Sequence, residues 1–549
     1  MKDQESPSLR AGRLPSQKAL PLGLLAFLAL LGIASMAYAT TRGPGIGGDA
    51  TVYLTSARNL LAGRGLGLIE ADGSFRLLPY TPPLYPLLLA FFGLPGFDLV
   101  QVARWLSVLL FGATIFLVGA GFFHFTRSSV LSLIAAASLL LSPILARVYA
   151  WAMSEPLFLF TGFLGLFLSL EYARSPRRSL LIWAAVCCGL SFLARYLGAA
   201  FLVSAALIVL LYSPRPWKKR LAGAFSLGIV GFIPMGVWLV IDLFATRTVA
   251  SRSLESGATL ATRLCAAGSP LLDVFLNWLV PDSWIEAPPY PRVLNQVIWI
   301  LALLGLILLV CLVLWRLSAA SRRARDERWG WILLARGLAL VIVVFLLVTL
   351  GVYVTTYPPI TLDNRMLAPV HVATLLFALC LGGLLVSIEK GRRWLALVAG
   401  LACLVFLGSY AYRTPRIVQQ THEAGLGFLM DAYQKSETVQ ALRALPQDQA
   451  IVSNELTQVL FFTARSAYPL QEVTAGQPQD LGSVYGSDAS DPSQRAFRSG
   501  AALVIFDTIQ QQLSDLYGAQ SSTRLQALTQ GLYEAFHGSD GAIYYYERH

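Results

Sequence analysis

Four charged side chains stand where apolar runs begin or end. Asp49 follows a Gly47-Gly48 turn and opens a helical stretch, and Glu155 heads a long apolar run after Ser154. Arg195 and Arg365 lie where other apolar runs meet polar sequence. A carboxylate can take a proton from a hydroxyl, and arginine can hold an anionic oxygen pair bidentately. Each residue also has a plainer reading. Asp before a helix is a common N-cap, Glu in a first turn suits the helix dipole, and arginines at span ends snorkel to headgroups. Their joint placement favours the functional reading. The charge pattern described below puts all four on one side of a membrane, where polar groups near bilayer depth are costly and tend to be functional.

The stretch that must position Asp49 runs from Gly47 to Pro86. A helix is expected from about Ala50 to Ala62, with Tyr53, Ala57, Leu60 and Leu61 on one face and Thr51, Thr55, Arg58 and Asn59 off it. Such a helix can lie along a membrane surface. Leu66–Glu70 and Ser74–Leu78 flank Ala71-Asp72-Gly73, a hairpin pattern. The stretch ends in the rigid aromatic run Tyr80 to Pro86, and the apolar segment Leu84–Leu94 is too short to cross a bilayer.

Composition sets the class. The 549 residues are 56% hydrophobic and only 13% charged, against about 25% charged in a soluble domain, and mean hydropathy is +0.60. About eleven spans are expected. They are Pro21–Thr40, Val100–Phe123, Val130–Ala146, the run after Pro156 to Leu170, Ser179–Leu193, a return to Arg215, Leu221–Leu243, a run ending at Arg316, Trp331–Val354, a run ending near Lys390, and Trp394–Tyr412. Ala37-Tyr38-Ala39 resembles a cleavage site, but the first apolar core is long and reads better as an uncleaved anchor. With the N-terminus in the cytoplasm, every dense Lys/Arg cluster falls inside, as the positive-inside rule requires. The multi-pass chain is therefore expected in the cytoplasmic membrane. Asp49, Glu155, Arg195, Arg365 and the tail are expected on the outer face. The formal charge of +11 belongs to those loops and does not indicate nucleic acid.

Two units are expected, a membrane domain over 1–412 with a first outer loop at 42–99, and a small soluble α/β domain over 413–549. In the tail, Thr421–Leu445, Glu455–Ala464, Thr508–Leu516 and Arg524–Phe536 suit helices. Ala450–Ser453, Ala501–Phe506 and Ala542–Glu547 suit strands. No Gly-rich phosphate loop joins strand to helix, so a lid or acceptor-docking module is the better reading. The six cysteines show neither metal spacing nor a disulfide framework.

Several short motifs resemble those of the GT-C glycosyltransferases, in particular the group with the protein O-mannosyltransferases (glycosyltransferase family 39) and the bacterial lipid A aminoarabinose transferase. Gly48-Asp49-x-x-x-Tyr53, Asn59-Leu60-x-x-Gly63-x-Gly65 and Pro82-Pro83-Leu84-Tyr85-Pro86 resemble their first outer loop. Ser154-Glu155-Pro156 resembles the second acidic motif, and Asn364-Arg365-Met366-Leu367-Ala368-Pro369 the late Arg motif, with Met366 in place of the usual aromatic. Ile451-Val452-Ser453-Asn454 and Leu460–Arg465 resemble the tail of bacterial members. Asp49 stands alone in its motif, without the adjacent acidic pair of the eukaryotic mannosyltransferases.

The resemblance implies a donor sugar on a polyprenyl phosphate and a glycan, lipid or protein acceptor. It implies Asp49 as general base, with Glu155 orienting the acceptor or holding a cation. Arg195 and Arg365, and more weakly Arg58, would hold the leaving phosphate. Tyr53, Tyr80 and Tyr85 would line the sugar pocket. It leaves room for a divalent cation, Mg or Mn, although the sequence has no dedicated ligand cluster. Two other classes share the composition. A multi-pass transporter would show internal repeats, and a noncatalytic lipid-binding protein would need no outer carboxylate.

Overall fold

The computed structural model describes residues 16–78, 81–246, 253–254, 260–280, 329–357, 360–388, 393–470 and 492–546. The chain begins with α1 (Ser16–Ala39) and α2 (Gly48–Leu61), the hairpin β1 (Gly67–Ile69) and β2 (Phe75–Leu77), then α3 (Leu84–Gly93). The bundle continues through α4 (Leu99–Thr126), α5 (Ser129–Leu140), α6 (Pro143–Tyr149), α7 (Glu155–Arg174), α8 (Arg178–Ala194), α9 (Ala199–Tyr212) and α10 (Trp217–Thr246). The short β3 (Ser253–Leu254) and α11 (Leu260–Leu279) follow. After them come α12 (Trp329–Thr355), β4 (Thr356–Tyr357), α13 (Ala368–Ile388) and α14 (Arg393–Ala424).

Among the described residues, seven helices are long and apolar enough to cross a bilayer: α1, α4, α7, α10, α12, α13 and α14. The count is eight when α5 and α6, bent by 56°, are taken as one span. The bend falls at Leu141-Ser142-Pro143, where proline has no amide hydrogen to continue the ladder and Ser142 Oγ restarts it by accepting from Leu145 N at 3.2 Å. The expected count of eleven included two further runs that form shorter apolar helices, Arg178–Ala194 and Tyr196–Tyr212. The run ending at Arg316 lies outside the described residues. The protein is thus a multi-pass helical membrane protein.

α7 is the most enclosed span, with 78% of its apolar window buried. Its Phe158 meets Phe201 of α9 edge-on at 5.5 Å, and Phe201 meets Phe345 of α12 at 4.8 Å, a favoured ring geometry. Glu155 stands at one end of this helix and Arg174 at the other, about 30 Å apart at the helical rise.

The eleventh run does not stop at 412: α14 continues to Ala424. Beyond it lie α15 (Asp431–Gln434), α16 (Glu437–Ala444), β5 (Ile451–Ser453), α17 (Leu456–Thr463) and β6 (Tyr468–Pro469). Next are α18 (Pro492–Arg498), β7 (Ala502–Phe506), α19 (Thr508–Tyr517), α20 (Ser521–Thr529), β8 (Leu532–Gly538) and β9 (Gly541–Tyr546). The tail sheet has the order β6-β5-β7-β9-β8. β6, β5 and β7 run parallel, and β9 and β8 add antiparallel strands. Every residue of β5 and β7 is buried, which is why both read as short continuous apolar runs. The helix expected over Arg524–Phe536 ends at Thr529 and gives way to β8. Gly531 turns the chain there at φ +77°.

Candidate active site

The loop before α2 is pinned by backbone pairing. Gly45 N donates to Ala150 O at 2.8 Å, and Ala152 N donates to Gly45 O at 2.9 Å. A side chain at Gly45 would come within 2.5 Å of the Trp151 ring, so only glycine allows this approach. The pairing brings Asp49 beside the start of α7. Gly47 is the N-cap of α2 and Asp49 lies in its first turn. Asp49 is therefore not the cap that one reading of the sequence expected. Glu155 likewise lies in the first turn of α7. Both carboxylates sit at helix N-termini, where the partial positive charge of the helix favours the anion.

Arg365 bridges them. Its Nη1 donates to Asp49 Oδ2 at 3.1 Å, and its Nε lies 3.2 Å from Glu155 Oε1. Arg195, the residue that closes α8, brings Nη1 to 2.7 Å from the same Glu155 oxygen. Exposure separates the two acids. The Glu155 side chain is 1% exposed and that of Asp49 is 44% exposed. Glu155 Oε2 has no hydrogen-bond donor among the described residues, and a buried orphan of this kind calls for a partner such as water or a bound group. Burial alone would lower the Arg365 pKa, but Glu155 and Asp49 outweigh it and hold it above its ordinary value. Arg365 Nη2 has no side-chain partner among the described residues.

The aromatic residues stand behind this cluster. Tyr53 OH lies 3.3 Å from Ser154 Oγ, and its ring meets Tyr85 edge-on at 5.1 Å. Burial pushes the Tyr53 hydroxyl up to about 12, with Arg195 pulling in the opposite direction. Burial pushes Tyr85 up as well. Both tyrosines are buried, because the apolar face of α2 packs on α3. They back the charged groups and do not line an open sugar pocket as expected. Tyr80 lies outside the described residues. Arg58 is exposed and stands apart, since nine residues at about 100° each turn it to the face of α2 opposite Asp49.

Three contacts escaped the sequence reading. Ser154 Oγ accepts from Arg195 Nη1 at 3.4 Å. Met366 Sδ lies 3.2 Å from Arg195 Nη2, and Met153 Sδ lies 3.6 Å from Arg365 Nη1. Thioether sulfur is a weak acceptor, and nothing in the local sequence signals these pairings. Among the described residues no group of three His, Cys, Asp or Glu side chains could hold a metal. Asp49 and Glu155 already share the Arg365 guanidinium between them.

The tail packs over the same loop. Ile46 pairs with Gly427 in a parallel bridge, and Phe428 N donates to Ile46 O at 2.8 Å. α17 packs on α2, where a side chain at Gly48 would touch the Thr457 methyl. Ser466 Oγ donates to Ile69 O of the hairpin.

No family profile matches the chain, and no curated protein matches it significantly. Solved structures do. The apo state of ArnT from Cupriavidus metallidurans is 13% identical with a TM-score of 0.51, covering 96% of this chain and 98% of that one. The archaeal oligosaccharyltransferase AglB from Archaeoglobus fulgidus, in complex with an inhibitory peptide and a dolichol-phosphate, is 11% identical with a TM-score of 0.52. That match covers 97% of this chain and 75% of AglB. The chain has the GT-C fold. ArnT bound to undecaprenyl phosphate also matches, with 14% identity, a TM-score of 0.46, and coverage of 97% and 98%. Within the GT-C fold, Asp49, Glu155, Arg195 and Arg365 meet at one end of the helix bundle, under the tail domain.

Proposed function

We propose that this protein is a membrane glycosyltransferase that moves a sugar from a polyprenyl phosphate to an acceptor hydroxyl. The carrying observation is the division of labour between two carboxylates joined by one guanidinium. Asp49 is open to solvent and Glu155 is sealed. An acceptor can reach only the first, so Asp49 is the general base. Glu155 gathers Arg195 and Arg365 by a single oxygen. That fixes two positive charges beside the base, where a phosphate leaving group develops its charge. Arg365 Nη2, without a side-chain partner among the described residues, could serve that anion as a further donor.

The reaction balances without a further reactant. The acceptor oxygen bonds to the anomeric carbon, the bond from that carbon to the phosphate oxygen breaks, and Asp49 takes the hydroxyl proton. The lipid phosphate departs as an anion held by guanidinium groups. The dolichol-phosphate in the AglB complex supports the donor class, and the tail packed over α2 supports an acceptor bound between tail and bundle.

The test is Asp49→Asn, assayed by transfer of radiolabelled sugar from a polyprenyl phosphate. Loss of a general base lowers turnover by roughly 10²–10⁴-fold. The amide keeps the size and an oxygen for Arg365, so the melting temperature stays near wild type. Full turnover by purified Asp49→Asn protein would remove Asp49 from the chemistry.

A further inference from the structure

The residue before Arg365 is held in a half-buried amide clamp. Trp278 Nε1, near the end of α11, donates to Asn364 Oδ1 at 3.0 Å. An indole is a donor only, so it fixes the orientation of the Asn364 amide. The Nδ2 group then donates to Asn277 Oδ1 at 3.1 Å. The end of α11 is itself held by α14. Tyr410 OH donates to Trp278 O at 3.0 Å, and Arg413 Nη2 donates to Asn277 O at 2.9 Å. Trp278, Tyr410 and Arg413 are all buried, where hydrogen bonds are strengthened by the low dielectric. Trp278 also lies 4.9 Å from the His371 ring, whose Nε2 is 3.0 Å from Ser142 Oγ at the break between α5 and α6.

α14 reaches the site from its other side too. It ends at Ala424, and three residues later Gly427 pairs with Ile46, which lies three residues before Asp49. One helix therefore anchors both members of the Asp49–Arg365 pair. On the Arg365 side it acts through Tyr410 and Arg413, and on the Asp49 side through Gly427.

We infer that Trp278 and Asn364 are positioning residues that aim the Arg365 guanidinium between the two carboxylates and at the donor phosphate. This rests on the donor-binding role proposed above for Arg365. Asn364 adjoins Arg365 in the chain, so its clamp holds the backbone from which the Arg365 side chain extends. Asp363 Oδ1 accepts from Met366 N at 2.8 Å and keeps the turn rigid, so the two anchors act on one small unit.

The experiment is a double-mutant cycle on the full chain with Trp278→Phe, Arg365→Ala and both together. Phe keeps a ring against His371 and removes the indole donor, and the Arg365→Ala background controls for the smaller ring. Two quantities are read: the melting temperature without ligand, and the affinity for undecaprenyl phosphate as probe. Trp278→Phe is expected to weaken probe binding roughly 3–10-fold, the net worth of one hydrogen bond, and to have no further effect once Arg365 is alanine. The melting shifts should likewise fail to add. Equal losses from Trp278→Phe in both backgrounds, or none in either quantity, would overturn the clamp. Wild-type probe affinity in Arg365→Ala with coupled melting shifts would overturn the donor-binding role alone. Asn364→Ala provides the same cycle if Trp278→Phe does not fold.

Discussion

Glu155 and Asp49 differ in how much water reaches them, and that difference makes their substitutions diverge. Asp49→Asn changes a half-open carboxylate and should affect turnover, not folding. Glu155→Gln leaves two guanidinium groups facing a neutral amide inside the protein. Removing one partner of a buried ion pair costs about 3–5 kcal/mol. Glu155→Gln is therefore expected to lower the melting temperature clearly, measured by thermal unfolding in detergent, as well as lowering transfer. A melting temperature equal to wild type would show that water compensates Arg195 and Arg365. Asp49, Glu155, Arg195 and Arg365 were legible in the sequence as rare charges at the ends of apolar runs on one side of a membrane. The pairing among them was not, because Arg365 and Asp49 are 316 positions apart and no local pattern encodes their meeting. Trp278 and Asn364 were not legible for the same reason, and Tyr53 was legible as a nearby aromatic but not as a buried one.

Gly427 connects the tail to the loop of Asp49. It has φ +57°, and a side chain there would strike the Ile46 carbonyl. Gly427→Ala must therefore either strain the backbone or release the bridge to Ile46. The expected result is a tail that still folds but protects the loop less well, seen as faster hydrogen exchange over residues 43–50 with lower transfer. Unchanged exchange there would show that Phe428 and α17 hold the loop without this bridge. At this scale the apolar runs gave the long helices correctly, since length and composition decide them. Ends and short elements were harder. The boundary at 412 falls inside α14, because the helix becomes polar as it leaves the apolar region and composition registers only that change. β8 read as helix because it is a mostly exposed edge strand, with alternation too weak to separate it from a helical face.

The proposed orientation of the whole chain rests on where its charges lie. Arg174, Arg177, Arg178, Arg215, Lys218, Lys219 and Arg220 follow the ends of α7 and α9 that point away from Glu155 and Arg195. The positive-inside rule assigns such clusters to the cytoplasm, and on that ground we propose that the Asp49 site and the tail lie outside. Two single cysteines test this in a chain whose six native cysteines are replaced by alanine. Asp72 sits in the exposed β1–β2 turn near the site end, where its Oδ1 accepts from Ser74 N at 2.9 Å. Ser175 follows α7 at the opposite end. An impermeant thiol reagent on intact cells, or on spheroplasts where an outer membrane intervenes, should label Asp72→Cys and spare Ser175→Cys until the membrane is opened. The reverse pattern would put the site in the cytoplasm, where a donor carried on the outer leaflet cannot reach Arg365. Equal labelling of both would mean that the two ends of α7 face the same compartment, which a single straight span of 20 residues crossing about 30 Å of hydrocarbon does not permit.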